Sequence, residues 1–275
     1  MVAIAFEDRV EVFALGHKTN VHVAGSGRPV ILLHGSGPGV SAWSNWAGLI
    51  GELAENYKVY APDIAGFGYT ELKDGTKYDI KFWVQHLVAV MDALEIEKAV
   101  LVGNSFGGAL SIAMALSQAD RVEKIMLMGT PCGEFQISDG LYAGLTYEPS
   151  LENMRKLVEN FPYDKGIITD AMVEARYEAS IREGAHEAFR KLMPPPEEGR
   201  DTIVKGFPQK YLTGIKCEAL VVHGREDRVV PPECGRRIFE AIPRAELHMF
   251  GQCGHWVQLE RSQQFKKLLS DFLAA

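Results

Sequence analysis

Three residues able to share one chemistry occur in this chain in a fixed order: Ser105 in Gly103-Asn-Ser-Phe-Gly107, Asp227 in Gly224-Arg-Glu-Asp-Arg-Val-Val-Pro231, and His255 in Gly251-Gln-Cys-Gly-His-Trp256. A serine hydroxyl is a weak nucleophile at neutral pH. It needs a histidine base, and the base needs a carboxylate to orient it. A serine with a glycine two residues away on each side fits a sharp strand-to-helix turn that lifts Oγ clear of a sheet. A plain Gly/Ser turn is the other reading of so short a pattern, and the surrounding elements must decide between them. Glu226 is the rival acid to Asp227, and His223 is the most plausible decoy among the remaining histidines.

Acyl chemistry also needs amide donors aimed at the oxygen that gains charge. The run His34-Gly-Ser-Gly-Pro-Gly39 follows an apolar segment and offers the Ser36 amide. The Phe106 amide, just after the candidate nucleophile, is the expected second donor. A dinucleotide loop is excluded because the glycines read G-x-G-x-G, and a phosphate loop because no Gly-Lys-Ser/Thr ending follows.

The elements that must position these residues are legible as apolar runs. Pro29 to Leu33, Lys58 to Ala61, Ala99 to Val102, Lys124 to Met128, Ala219 to Val222 and Ala245 to Met249 read as buried strands. Val10 to Ala14 and Asn20 to Ala24 read as a leading antiparallel pair. Helical periodicity lies between several of them, as at Phe82 to Leu94 and Gly108 to Ser117. The alternation predicts an α/β fold with a mostly parallel eight-stranded sheet flanked by helices. Ser105 then falls between a strand and a small-residue helix, the context that the turn requires.

The alternation stops after Met128 and resumes near Ala219. Helical patterns at Leu151 to Asn160, Asp170 to Ile181 and His186 to Met193 fill the gap, and Pro194-Pro-Pro196 ends the last of them. The expected organisation is a core of residues 1–131 and 212–275 with a helical cap inserted at 132–211.

Composition restricts the partners. The 275 residues carry a net charge of −7, with 47% hydrophobic and 24% charged residues, as in a globular protein. An acidic chain without a basic stripe argues against nucleic acid. Four scattered cysteines without metal-ligand spacing predict free thiols, no metal and a reducing, cytoplasmic setting. No apolar stretch approaches the roughly 18 residues of a membrane span, and Glu7 and Asp8 interrupt the N-terminus before any signal-like segment.

With these residues in hand, the chain resembles the meta-cleavage product hydrolases, carbon-carbon bond hydrolases of aromatic catabolism within the α/β-hydrolase superfamily. The likeness covers nearly the whole chain. It rests on His34-Gly-Ser-Gly-Pro-Gly-Val-Ser-Ala-Trp-Ser-Asn-Trp46, Gly103-Asn-Ser-Phe-Gly-Gly108, Ala175-Arg-Tyr-Glu-Ala-Ser-Ile181, His223 to Pro231 and Gly251 to Trp256. It implies an α/β-hydrolase fold, a Ser105–His255–Asp227 triad, no cofactor, and a 2-hydroxy-6-oxo-hexa-2,4-dienoate substrate cleaved between C5 and C6.

Arg176 matches the carboxylate-binding position of that family, with Asn45, Asn104, Gly37 and Trp256 completing the polar end of the site. Arg176 also lies on the flank of the stripe Val173, Tyr177, Ile181, where an arginine can equally reach solvent or pair with an acid. The asparagines can be turn supports, and Trp256 core. Leu145, Val229 and Val230 are candidates for the wall of an acyl pocket. Leu145 stands where relatives often carry a bulky aromatic, and the loop sequences are most like members acting on 6-H or 6-alkyl compounds. The resemblance also implies a homo-oligomer, a dimer or higher. A carboxylesterase on the same scaffold and a small-ligand receptor with a retained triad are the competing functions.

Overall fold

The structure is a computed structural model that describes residues 3–275; Met1 and Val2 of the expected core segment lie outside the described residues. In chain order the elements begin with β1 (Arg9–Ala14), β2 (His17–Ala24), β3 (Pro29–Leu33), α1 (Ala42–Leu53), β4 (Lys58–Pro62), α2 (Ile80–Ala93), β5 (Ala99–Asn104), α3 (Phe106–Ser117) and β6 (Val122–Met128). The segment after β6 holds β7 (Glu134–Gln136), α4 (Asp139–Leu145), α5 (Leu151–Val158), α6 (Asp170–Ser180), α7 (Ala185–Leu192) and β8 (Ile203–Lys205). The chain closes with β9 (Glu218–Gly224), α8 (Pro232–Ala241), β10 (Ala245–Phe250), α9 (Val257–Glu260) and α10 (Ser262–Ala274).

Eight strands form one sheet in the order β1-β2-β4-β3-β5-β6-β9-β10. Only the pairings made by β2, to β1 and to β4, are antiparallel. The central strands are apolar on both sides because both faces are covered. Ile31, Leu33 and Leu101 join a cluster with Trp83 and Leu87 of α2 and Leu110 of α3. Val30, Leu32, Val100 and Val102 face the other way, onto Trp46 and Ile50 of α1 and Phe265 and Leu269 of α10. The first cluster continues into Met154, Leu157, Phe161 and Val173 of the inserted segment. Apolar packing therefore makes α5 and α6 part of the same buried cluster as Trp83.

Side-chain caps start the helices that border the site. Ser41 and Ser44 form a reciprocal capping box at α1, and Ser150 and Thr169 accept amides at the starts of α5 and α6.

The inserted segment is not purely helical. Strands β7 and β8 pair across it in antiparallel register, and three residues apiece is too short for a period to show in sequence. The stripe expected along α6 also ends early: Val173 is buried, but Ile181 is 47% exposed beyond the last turn. Among the described residues no helix is long and apolar enough to cross a membrane, and the four cysteines are unbonded.

Candidate active site

Ser105 occupies the turn from β5 into α3 with φ 52° and ψ −112°. A non-glycine residue reaches that backbone only under strain, which its surroundings must hold in place. The Ser105 amide donates to the Met128 carbonyl at 2.7 Å, and the Ser105 carbonyl accepts from Gly108 and Ala109 at 3.0 and 3.1 Å. Both sides of the turn are thus tied down, and the side chain remains partly exposed.

His255 follows β10, and its Nδ1 lies 2.7 Å from Asp227 Oδ2. A carboxylate only accepts, so Nδ1 carries the proton and Nε2 is left as the basic nitrogen. Asp227 Oδ1 accepts from the Val229 and Val230 amides at 2.7 and 2.9 Å. Burial alone pushes the Asp227 carboxyl up, but His255 and His223 together hold it well below the usual carboxylate range. Glu226 is turned elsewhere, toward Arg225 and the Cys253 amide. His223 is not a bystander: its Nε2 stands 3.3 Å from Asp227 Oδ2 and 3.0 Å from the Val230 carbonyl.

The turn Met128-Gly129 borders both the Ser105 backbone and the His255 ring. Met128 takes the Ser105 amide, and a Cβ on Gly129 would stand 2.9 Å from both Cε1 and Nδ1 of His255. Gly129 also has φ +55°, so only glycine fits there without strain. It escaped the sequence reading, in which Met128 is simply the end of a strand.

On the other flank, a Cβ on Gly35 would lie 3.3 Å from that of Ser105. His34 fixes this loop. Its Nε2 accepts from the Ile64 amide at 2.9 Å, so its Nδ1 carries the proton donated to the Gly35 carbonyl at 2.6 Å. Burial lowers the His34 pKa, in keeping with a neutral ring. In a trans peptide the Ser36 N–H points opposite to the Gly35 carbonyl, and is therefore directed away from His34. The Phe106 amide belongs to the first turn of α3, where amides lack intrahelical partners. Its ring is held by Trp83 and Phe67, at 4.8 and 6.0 Å between centroids.

Asn45, Arg176 and Trp256 line a cleft of about 300 Å³ together with Trp43, Tyr69 and Gln258. Arg176 is half-buried, donates through Nε to the Pro38 carbonyl at 3.0 Å, and lies over the rings of Phe161 and Trp256 at 5.3 and 5.8 Å. Among the described residues it has no ion-pair partner. Burial lowers its pKa to about 10, which leaves it charged at neutral pH. Its terminal nitrogens pass Gly37, where a Cβ would stand 3.0 Å from Nη2. Asn45 Oδ1 accepts from the Gly35 amide at 3.3 Å, while its Nδ2 is buried without a partner among the described residues. Asn104 supports the turn, donating to the Met128 carbonyl at 3.4 Å.

Val229 and Val230 are core residues whose amides serve Asp227, and Leu145 packs partly buried against the same cluster. Phe161 was missed in sequence. It accepts the His255 amide at 2.7 Å and stacks on Trp256, contacts between segments that share no pattern.

The chain is similar to known proteins over nearly its whole length. The model of the Alpha/beta hydrolase family matches residues 30–268. A 2-hydroxy-6-oxo-2,4-heptadienoate hydrolase of Pseudomonas putida is 46% identical over 264 residues, covering 96% of this chain and 95% of that protein. A 2-hydroxymuconate semialdehyde hydrolase of a Pseudomonas species is 45% identical over 266 residues, covering 96% and 93%. Among solved structures, a mutant of the meta-cleavage product hydrolase CumD from Pseudomonas fluorescens IP01, complexed with acetates, aligns with a TM-score of 0.92 at 43% identity, covering 98% and 99%.

Proposed function

The chain belongs to the alpha/beta hydrolase family and, within it, to the meta-cleavage product hydrolases, and from that premise we propose that it cleaves the C5–C6 bond of 2-hydroxy-6-oxo-hexa-2,4-dienoates carrying hydrogen or a short alkyl group at C6. The products are 2-hydroxypenta-2,4-dienoate and a carboxylic acid. One observation carries the reading of the substrate: a half-buried, charged Arg176, without an ion-pair partner among the described residues, lines a cleft beside Trp256. A cation so placed is matched by a substrate carboxylate, which guanidinium binds in a two-point fork. The unpartnered Nδ2 of Asn45 is a ready donor to an oxygen at the same end.

The substrate first moves its enol proton to C5, so that C5 can later leave as a stabilised carbanion equivalent. Arg176 and Asn45 hold the oxygen charge at the carboxylate end, and His255 moves protons. Attack at the C6 carbonyl places negative charge on its oxygen, which the Ser36 and Phe106 amides receive. Two routes share this geometry. Ser105 attacks C6 and passes its proton to His255, or His255 deprotonates a water positioned by Ser105 to form a gem-diol. In both, C5–C6 breaks with the electron pair delocalised into the dienolate, and water supplies the acid's second oxygen. Trapping acylated Ser105 by rapid quench selects the first route. The reaction as written needs no cofactor.

The same reading has the cap segment 132–211 cover the site, the protein cytoplasmic, and the chain a homo-oligomer of two or more copies, which light scattering measures. Exposed Phe13 on the edge strand β1 supports self-association. The activity test mixes the protein with coloured dienoates bearing hydrogen, methyl, isopropyl or phenyl at C6, with Ser105→Ala as control. Serine-dependent bleaching, fastest with the small substituents, is expected. Turnover of a simple aryl ester without bleaching would instead mark a carboxylesterase.

A further inference from the structure

His255 and Arg176 come from separate parts of the chain, one from the loop after β10 and the other from α6. The cap loop 159–164 joins them. Its Phe161 carbonyl accepts the His255 amide at 2.7 Å, and its Phe161 ring lies parallel to that of Trp256, 4.9 Å away and tilted by 2°. Those two rings are the surface on which the Arg176 guanidinium rests. Any shift of this loop against the His255 loop therefore moves the cation relative to the base.

The two loops run in contact. A Cβ on Gly254 would stand 2.3 Å from the Phe161 carbonyl oxygen and 2.8 Å from the Tyr163 nitrogen. One amide from each loop turns toward Glu260, the last residue of α9. Glu260 Oε1 accepts from Gly254 at 2.8 Å and Oε2 from Tyr163 at 2.7 Å. A carboxylate is a pure acceptor with two oxygens, matched here by two N–H donors from different segments. The neighbouring Arg261 braces the same stretch from its other end, donating to the Gly251 and Gln252 carbonyls at 2.9 and 2.7 Å. Partial burial raises the Glu260 carboxyl from its ordinary value, against the backbone hydrogen bonds that lower it.

We propose that Glu260 is a positioning residue that clips the cap loop to the His255 loop, so that the base and the carboxylate-binding Arg176 are held in one frame. The Arg176 half of this inference rests on the activity proposed above. Glu260 touches no reacting atom and acts through His255 on one side and through Phe161 and Trp256 on the other.

The test compares wild type with Glu260→Ala and Glu260→Gln after thermal melting has established that each is folded. Values of kcat and KM are measured on 2-hydroxy-6-oxo-hepta-2,4-dienoate and on a nitrophenyl acetate, which has no carboxylate. Glu260→Ala is expected to lower kcat on both substrates, by up to about 100-fold if the base moves by an ångström. It should raise KM by about tenfold for the dienoate alone, as expected when a charged hydrogen bond weakens. Glu260→Gln keeps one acceptor oxygen and sets an amide against the other donor, so its constants should lie between. A folded Glu260→Ala protein within about twofold of wild type in every constant overturns the proposal. Equal losses of kcat with an unchanged dienoate KM overturn the link to Arg176. If Glu260→Ala does not fold, wild-type constants in the isosteric Glu260→Gln overturn it instead. A wild type that turns over the ester but not the dienoate refutes the proposed activity, and the ester kcat of the variants then decides the clip.

Discussion

Arg176 donates through Nε to the main-chain carbonyl of Pro38 at 3.0 Å across 138 residues of chain. Helix α6 is thereby bonded to the loop that carries the Ser36 amide, and Arg176 lines the cleft. One side-chain hydrogen bond thus joins α6 to the loop His34–Gly39.

Arg176→Ala and Arg176→Lys should both lower kcat/KM for the dienoate by about tenfold to a hundredfold, the range for losing a charged hydrogen bond. Lysine does not rescue, because an ammonium reproduces neither the two-point fork nor the fixed bond to Pro38. Nitrophenyl acetate turnover should stay within about twofold of wild type. Equal losses on both substrates in steady-state kinetics would contradict this assignment.

Gly129→Ala places a methyl group 2.9 Å from the His255 ring at a position where φ is +55°. The imidazole must give way, because the atoms nearest the new Cβ are His255 Cε1 and Nδ1, with Asp227 Oδ2 next at 3.4 Å. A displacement of about an ångström at the base predicts a kcat about 100-fold lower on any substrate. A kcat near that of wild type in a folded variant would show that His255 tolerates the shift.

Ser105 is strained, and its replacement separates chemistry from backbone. Ser105→Ala and Ser105→Gly should each reduce hydrolysis by orders of magnitude. Alanine must keep the φ of 52° and ψ of −112°, whereas glycine adopts them freely. Urea denaturation should therefore find the glycine variant more stable than the alanine variant by about 1 kcal/mol, after the entropic cost of glycine is subtracted. The reverse order would mean that the turn stores no strain.

His86 makes stability depend on pH. Burial, with a smaller contribution from His17, lowers its pKa to about 4 from the ordinary 6.5, while Nε2 lies 2.9 Å from Thr19 Oγ1. The unfolded chain takes up this proton near pH 6.5 and the folded protein only near pH 4. Stability is therefore whole above the unfolded value and falls as the pH drops between the two, by at most about 1.4 kcal/mol per pH unit. His86→Gln keeps a partner for Thr19 and removes the proton site. Urea midpoints between pH 7 and 5 should fall less steeply in the variant, and parallel curves would refute the assignment.

Much of the scaffold is legible in the chain itself. Strand β3 is readable end to end from Pro29-Val-Ile-Leu-Leu33, because a strand buried on both faces is a continuous apolar run. The turn at Ser105 is equally local: glycine spacing, a strand before and small residues after are covalent neighbours. Helix α6 is readable to within a residue: Asp170 to Ile181 in the sequence, Asp170–Ser180 in the structure, with Ile181 as its C-cap.

What the chain does not display is coincidence between remote segments. Nothing in the spacing announces that the Phe161 carbonyl takes the His255 amide, that His255 needs an empty side at Gly129, or that Glu260 joins Gly254 to Tyr163. Hydrophobic period reports which face of an element is buried, and motif spacing reports a local turn. A hydrogen bond between residues more than ninety positions apart leaves no periodic trace, since either partner alone is only a polar residue in a loop. Sequence by itself determined the sheet, the turn and the residue types of the chemistry, because those depend on neighbours along the chain; the orientation of base, cation and amide donors was decided only by tertiary packing, which brings distant segments within bonding distance.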